Sequence, residues 1–252
     1  MHPVLFSIDG IHIYAYGLFV AAGIFLGSGL FVRECKRYGI DSQVAGDVIF
    51  NTIIFGVVIS RVFYILVDWN FFISHPVEML KFWRGGFVFY GAILGGFLGF
   101  WYTVKRKNLS FAFALDLAAP FIPLSHAIGR IGCFFAGCCY GKTCHLPWAI
   151  VVKDPRSLSP LGIPLHPVQL YSSAVNALIF ILLYFVLKEK KRFHGELILE
   201  YFFLYGIARF FLEFYRGDKR PMVSQHLSYN QLISLILVFL SLILIIKGKK
   251  EF

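Results

Sequence analysis

The residues able to do chemistry begin with an arginine at the edge of apolar sequence. Arg130 lies in Gly129-Arg130-Ile131-Gly132-Cys133-Phe134-Phe135-Ala136-Gly137-Cys138-Cys139-Tyr140-Gly141, a stretch that ends an apolar run starting near Phe111. A guanidinium that never loses its charge is costly there unless it is paired, so it is a functional candidate by default. A second group is Arg209, Glu213 and Arg216. Their i, i+4 and i, i+3 spacing puts one carboxylate on the same helix side as two arginines. Tyr16, Arg61, Tyr64, Tyr90, His166, Gln169 and Tyr171 are further polar side chains in or beside apolar runs. Arginine's planar fork takes phosphate oxygens in pairs. A positive surplus in a low-dielectric setting therefore points to an anion, and lipid phosphate is the anion always present at a membrane surface.

The elements that must position these residues are membrane spans. The chain has 252 residues, 58% hydrophobic and 15% charged, too little polar surface for a soluble domain of this length. Runs of roughly 20 apolar residues match the thickness of a bilayer. We read an all-α polytopic membrane protein of about seven spans: Tyr14 to Val32, Val48 to Val67, Gly86 to Val104, Phe111 to Cys139, Pro167 to Leu187, Gly195 to Tyr215 and Tyr229 to Ile246. Residues 1–252 form a single transmembrane domain, with an outer arm at about 141–166 and a strand expected at Trp148 to Val152. The fourth run is longer than a span needs, and Pro120 and Pro123 are candidate breaks. Gly91, Gly95 and Gly99, like Gly23 and Gly27, recur every fourth residue, the spacing of close helix packing.

The net charge of +10 suits basic residues flanking spans better than nucleic acid, and no nucleic-acid motif is present. Compact clusters at Arg33, Lys36 and Arg37, at Lys105 to Lys107, at Lys188 to Arg192 and at Lys247 to Lys250 outnumber the basic residues of the alternate connections. The positive-inside rule then puts the N-terminus outside and the C-terminus in the cytoplasm. Met1 to Gly10 carries no basic residue, so no cleaved signal peptide is expected. Trp69, Phe71, Phe72 and Trp83 read as an interfacial aromatic belt. With this topology, Tyr16, Arg61, Tyr90, Arg130, His166, Gln169, Arg209, Glu213 and Arg216 share one depth, the outer leaflet. The inner halves hold chiefly Asp116 and Glu200.

The same residues resemble a family signature. Gly129 to Gly141 is similar to G-R-x-G-N-F-x-N-x-E-x-x-G of prolipoprotein diacylglyceryl transferases. Ala15-Tyr16-Gly17-Leu18, Phe89-Tyr90-Gly91-Ala92, His166-Pro167-Val168-Gln169-Leu170-Tyr171 and Arg209-Phe210-Phe211-Leu212-Glu213-Phe214-Tyr215-Arg216 resemble the family's other motifs, in order along the chain. The resemblance implies a multi-pass enzyme of the bacterial cytoplasmic (inner) membrane that works at the outer leaflet. It moves a diacylglyceryl group from phosphatidylglycerol to the lipobox cysteine of a preprolipoprotein signal peptide, with no cofactor or metal. By resemblance, Arg130 binds the lipid phosphate, and Arg209 with Glu213 and Arg216 completes the site; Tyr90, Arg209, Glu213 and Tyr16 are the catalytic candidates, and Arg61, His166 and Gln169, from their shared depth, are further candidates for binding the lipid. Gly141 allows close backbone approach, and Tyr16 donates its hydroxyl to the head group.

Three signature positions differ: Cys133 and Ala136 stand for asparagine and Cys138 for glutamate, while Tyr90 replaces a histidine. Tyr90 is left to position or shuttle a proton. Cys133, Cys138, Cys139 and Cys144 read first as small buried fillers, then as a disulfide, and last as a metal site, since no C-x-x-C pair is present. Two other functions compete: a transporter or channel for an anionic solute or lipid, and a lipid-binding relative or paralogue with another acceptor.

Overall fold

The computed structural model describes residues 3–8, 11–82, 85–224 and 227–248. Trp83, Arg84, Lys249 and Lys250 lie outside the described residues. The chain is mainly helical, and five helical segments are long and apolar enough to cross a membrane: Ala15–Arg37, Ser42–Val67, Phe111–Ala136, Val168–Lys190 and Tyr229–Gly248. This is a multi-pass, helical membrane protein. It divides into two compact units, residues 31–114 and residues 1–30 with 115–252.

In residues 31–114, α2 (Ser42–Val67) pairs with α4 (Phe89–Arg106). The glycine repeat causes this pairing. A Cβ on Gly91 would come within 2.8 Å of the Ser60 Cα, and one on Gly95 or Gly99 would meet the backbone of Phe55 or Asn51. No side chain larger than hydrogen allows the two backbones to lie so close. Asn51 donates to Thr103 Oγ1 at 3.0 Å and Ser60 to the Val88 carbonyl at 2.8 Å, which satisfies polar groups across the apolar seam. Between them run α3 (Trp69–Ser74), a 3-10 turn at Pro76–Leu80 and a loop at 85–88. Trp69 and Phe71 are exposed, as a belt requires, but Phe72 is buried edge-on against Tyr64 and belongs to the packing of this unit.

The other unit opens with a hairpin, β1 (Val4–Ile8) and β2 (Ile11–Tyr14), that leads directly into α1 (Ala15–Arg37). The fourth apolar run breaks as expected. α5 (Phe111–Ala118) stops before Pro120 and α6 (Phe121–Ala136) follows. Gly23 and Gly27 of α1 lie against Ser125 of α6, whose hydroxyl donates to the Gly23 carbonyl at 2.8 Å. α7 (Val168–Leu182) packs on α6, and α8 (Glu196–Glu213) on α9 (Tyr229–Gly248). Where the third and sixth spans were expected stand α4 and α8, helices of 18 residues each that are not among the five long and apolar enough to cross a membrane.

Asp116 is buried at the start of α8. It accepts from the backbone amides of Gly195 at 2.9 Å and Ile198 at 3.2 Å, and pairs with Lys191 at 3.2 Å. A carboxylate at a helix N-terminus satisfies amides that the helix cannot. This buried polar group is therefore structural. The arm after α6 carries a short ladder, β3 (Ile150–Val151) with β4 (Pro164–Leu165), of which β3 falls inside the strand expected at Trp148 to Val152.

Candidate anion-binding site

α6 ends where the signature stretch turns. Gly137 adopts φ 76° and caps the helix, and Cys139, two residues on, adopts φ 59°, a left-handed conformation rare outside glycine. The chain doubles back over the last turn of α6. Gln169, at the start of α7 and 1% exposed, donates from Nε2 to the Cys138 carbonyl at 2.9 Å and fixes this turn. Its Oε1 has no hydrogen-bond partner among the described residues. Gly132 faces α1, where a Cβ would come within 2.9 Å of the Phe19 Cβ and 3.2 Å of the Tyr16 Cα. This close approach sets Tyr16 beside the stretch, within electrostatic reach of Arg130 and of Cys133, Cys138 and Cys139.

Gly141 is the next fixed point. A Cβ there would lie 2.6 Å from the His166 Cβ and 2.7 Å from Val168 Cγ2. Its backbone pairs with Arg216 in an isolated antiparallel bridge. Lys142 donates to the Tyr215 carbonyl at 2.8 Å, Gly217 to the Tyr140 carbonyl at 3.0 Å, and His166 to the Lys142 carbonyl at 3.0 Å. Three segments remote in sequence meet at this glycine, as the expected close backbone approach requires.

Around a small cavity stand Arg130, Arg209 and Arg216, with Gln169, Ser172 and Cys139. Arg130 donates from Nε to His126 Nε2 at 3.0 Å, and its two terminal nitrogens have no hydrogen-bond partner among the described residues. The imidazole therefore accepts at Nε2, is neutral, and holds the fork without neutralising it. Arg209 pairs with Glu213 at 2.6 Å. Glu213 also binds Arg220 and accepts from Ser228 at 2.8 Å and Asn230 at 3.0 Å.

The expected pairing of Glu213 with Arg216 does not form. α8 ends at Glu213, so helical spacing no longer relates the two residues. Arg216 is gripped bidentately by Asp218 instead, at 2.9 and 2.5 Å. Burial opposes its charge, but this carboxylate, together with the neighbouring Cys139 sulfur, holds the guanidinium above its ordinary range. In this cluster the arginines 130, 209, 216 and 220 face the carboxylates Glu213 and Asp218, so positive charge is left over.

Four partners were not legible from the motifs. Asp218, Arg220, Ser228 and Asn230 follow α8 with no periodic signal. His126 had one: it stands four residues before Arg130, one helical turn away.

His166 joins a chain of polar rings. Its Nδ1 lies 3.3 Å from the Tyr171 hydroxyl, which accepts from Trp148 Nε1 at 2.7 Å. In residues 31–114, Tyr90 lies in the first turn of α4 and is 60% exposed. Arg61 departs from expectation. It is 4% exposed, and its fork donates to the carbonyls of Glu78 (2.7 Å), Met79 (3.3 Å), Lys81 (3.4 Å), Gly85 (2.6 Å) and Gly86 (3.2 Å). Tyr64, Phe72 and Phe82 lie about its charge, with ring centroids 5.3 to 5.6 Å away. Its donors are spent on this loop, which leaves none for a lipid phosphate.

Comparison with known proteins agrees with the motifs. The family model described as prolipoprotein diacylglyceryl transferase matches residues 3–247. A Clostridium tetani protein named phosphatidylglycerol–prolipoprotein diacylglyceryl transferase is 39% identical over 243 residues, covering 96% of each chain. Its namesake from Finegoldia magna is 35% identical over 251 residues, covering 100% of this chain and 97% of its own. A Clostridium perfringens protein with the same name, numbered 2, is 34% identical over 256 residues. The chain belongs to the prolipoprotein diacylglyceryl transferase family.

Proposed function

We propose that this protein transfers the diacylglyceryl group of phosphatidylglycerol to the thiol of a prolipoprotein's lipobox cysteine and releases glycerol phosphate. The observation that carries the reading is Arg130: a guanidinium held at one nitrogen by a neutral imidazole, its remaining fork without a partner among the described residues, beside a cavity shared with Arg209 and Arg216. Such a fork suits two oxygens of a phosphate. In the transfer, the acceptor sulfur attacks the glyceryl carbon that carries the phosphate. A carbon–sulfur bond forms, the carbon–oxygen bond breaks, and the oxygen leaves with the electron pair. Charge grows on the phosphate as it leaves, so arginines that hold it more tightly at that moment lower the barrier.

The arrangement in the membrane follows from the same reading. The chain crosses the bacterial inner membrane seven times, N-terminus outside, with the cavity at the outer leaflet where both substrates lie. The basic clusters at the alternate ends of the helices support this orientation. Within the site Arg130 binds phosphate, Arg209 and Arg216 complete the cationic wall, Glu213 and Gln169 hold that wall and the cysteine turn, and Tyr16 reaches the head group. His166 and Gly141 lock the arm against the loop that bears Arg216.

The test is reconstitution of purified protein with phosphatidylglycerol and a lipobox peptide. Formation of the diacylglyceryl thioether together with glycerol phosphate is expected. Absence of both, where an established relative forms them, would sink the reading and leave lipid binding without transfer. Labelling of a cysteine placed at exposed Leu158 of the arm (Leu158→Cys) by an impermeant thiol reagent from outside intact cells is expected, and labelling solely from the cytoplasmic side would overturn the orientation.

A further inference from the structure

The turn after α6 gathers three thiols. The Sγ atoms of Cys133, Cys138 and Cys139 all lie within 4.8 Å of one another. All five cysteines of the chain are free thiols. Their sequence spacing is not that of a structural zinc site. The left-handed Gly137 and Cys139 bring them together, by folding residues 138 and 139 back over the helix turn that carries residue 133. A non-glycine residue in that conformation is strained and persists only where the surroundings hold it. Here Gln169 holds it, through the Cys138 carbonyl.

We propose that Cys133, Cys138 and Cys139 bind a thiophilic divalent metal ion of the zinc class, with its fourth coordination position open to the thiol of the acceptor peptide. The role of that open position rests on the transferase reading above. Sulfurs bound tetrahedrally to zinc at about 2.3 Å stand roughly 3.8 Å apart. The observed limit of 4.8 Å is about one ångström beyond that, a gap within reach of side-chain rotation. Three thiolates around a divalent ion leave one negative charge, and a fourth thiolate leaves two. Arg130, Arg209 and Arg216 surround the cavity that Cys139 lines, so this anionic complex would sit in a field that favours it. Three protein ligands and one open position is the pattern of a zinc site that acts on a substrate rather than one that is purely structural.

The site would answer a chemical need. Signature asparagine and glutamate are absent at Cys133 and Cys138, and Tyr90 stands where the family motif has histidine. A thiol that coordinates such an ion is deprotonated outright. The acceptor thiol would displace a bound water and release its proton to solvent. Its sulfur then attacks the glyceryl carbon, and the pair of the broken carbon–oxygen bond leaves on glycerol phosphate. The thioether product carries no charge and is a poorer ligand, so water can replace it.

The experiment uses the full-length protein purified in detergent under reducing conditions and without chelator. Elemental analysis is expected to find zinc at about one ion per chain. Replacement by cobalt(II) should produce a near-ultraviolet thiolate-to-cobalt charge-transfer band. Cys133→Ser, Cys138→Ser and Cys139→Ser should each lose the band, whereas Cys35→Ser and Cys144→Ser should keep it. Cobalt titration of the unaltered protein needs no variant to fold. No cobalt band in the reduced protein, or one that survives all three substitutions, overturns the site. Addition of a lipobox peptide should change the spectrum and its cysteine-to-serine analogue should not. Equal response to both overturns the open position.

Transfer is measured in parallel. Metal-free protein that transfers at the full rate refutes the role in thiol activation while the transferase reading stands. Metal-loaded protein that binds the peptide thiol yet forms no thioether refutes the transferase reading and leaves the metal site standing.

Discussion

Arg61 and Arg130 are both arginines within apolar helices, and the fold treats them in opposite ways. Arg61 is buried under a loop whose five carbonyls take its donors, with three aromatic rings about it. Arg130 gives one hydrogen bond to a neutral histidine, and its terminal nitrogens have no partner among the described residues. Residue type and membrane setting are the same, so the difference lies in what the neighbouring backbone offers. The carbonyls of residues 78, 79, 81, 85 and 86 turn inward onto Arg61 of α2, whereas the α6 carbonyls near Arg130 are taken up by the helix itself. An intramembrane charge is functional when the local backbone cannot satisfy it.

The contrast breaks most sharply at Arg130. Arg130→Lys keeps the charge but removes the fork, and transfer should fall by about a hundredfold or more with little change in thermal stability. A loss under tenfold would erase the distinction. Arg61→Ala should do the reverse. It strips several carbonyls of their donor, at about 1 to 3 kcal/mol for each that stays buried and unpaired. The thermal midpoint in detergent should drop steeply, while the rate per folded molecule changes far less. A variant with ordinary stability and no activity would return Arg61 to the site.

Glu213→Gln probes the cationic wall. Arg209 and Arg220 would lose their shared counter-charge, and turnover should fall by about ten- to a hundredfold through misplaced guanidinium groups. Rescue of part of the rate by added phosphate-free anions would sharpen the assignment to positioning. Tyr90→Phe is the mildest. The hydroxyl is exposed in the protein alone, and its removal should cost about tenfold in rate, within the range for a positioned proton carrier. An unchanged rate would remove Tyr90 from the mechanism.

Much of this was legible in the sequence for a clear physical reason. Spans are long and uniform in composition, so their existence survives errors in detail. The break at Pro120 followed from proline's missing amide, and the pairing of α2 with α4 from glycines every fourth residue. What failed depends on where a helix stops. Arg216 was placed beside Glu213 by helical spacing, but α8 ends first, and Arg216 turns to Asp218. Arg61 was grouped with the phosphate binders because a loop's carbonyls leave no mark in a sequence. Phe72 read as a belt residue because burial inside a helical pair looks the same as exposure to lipid. The thiol cluster was obscured because its geometry comes from two left-handed residues, one of them a cysteine.

The bridge at Gly141 has a mechanical consequence. The stretch after α6, the end of the arm at His166 and the loop after α8 are stitched by main-chain hydrogen bonds around one residue with no side chain. A tug on any one of these threads is felt by the other two. In the proposed transfer, an acceptor peptide that lifted the arm would also draw on the loop that carries Arg216, so entry of one substrate and the proposed grip on the other would share a single fulcrum.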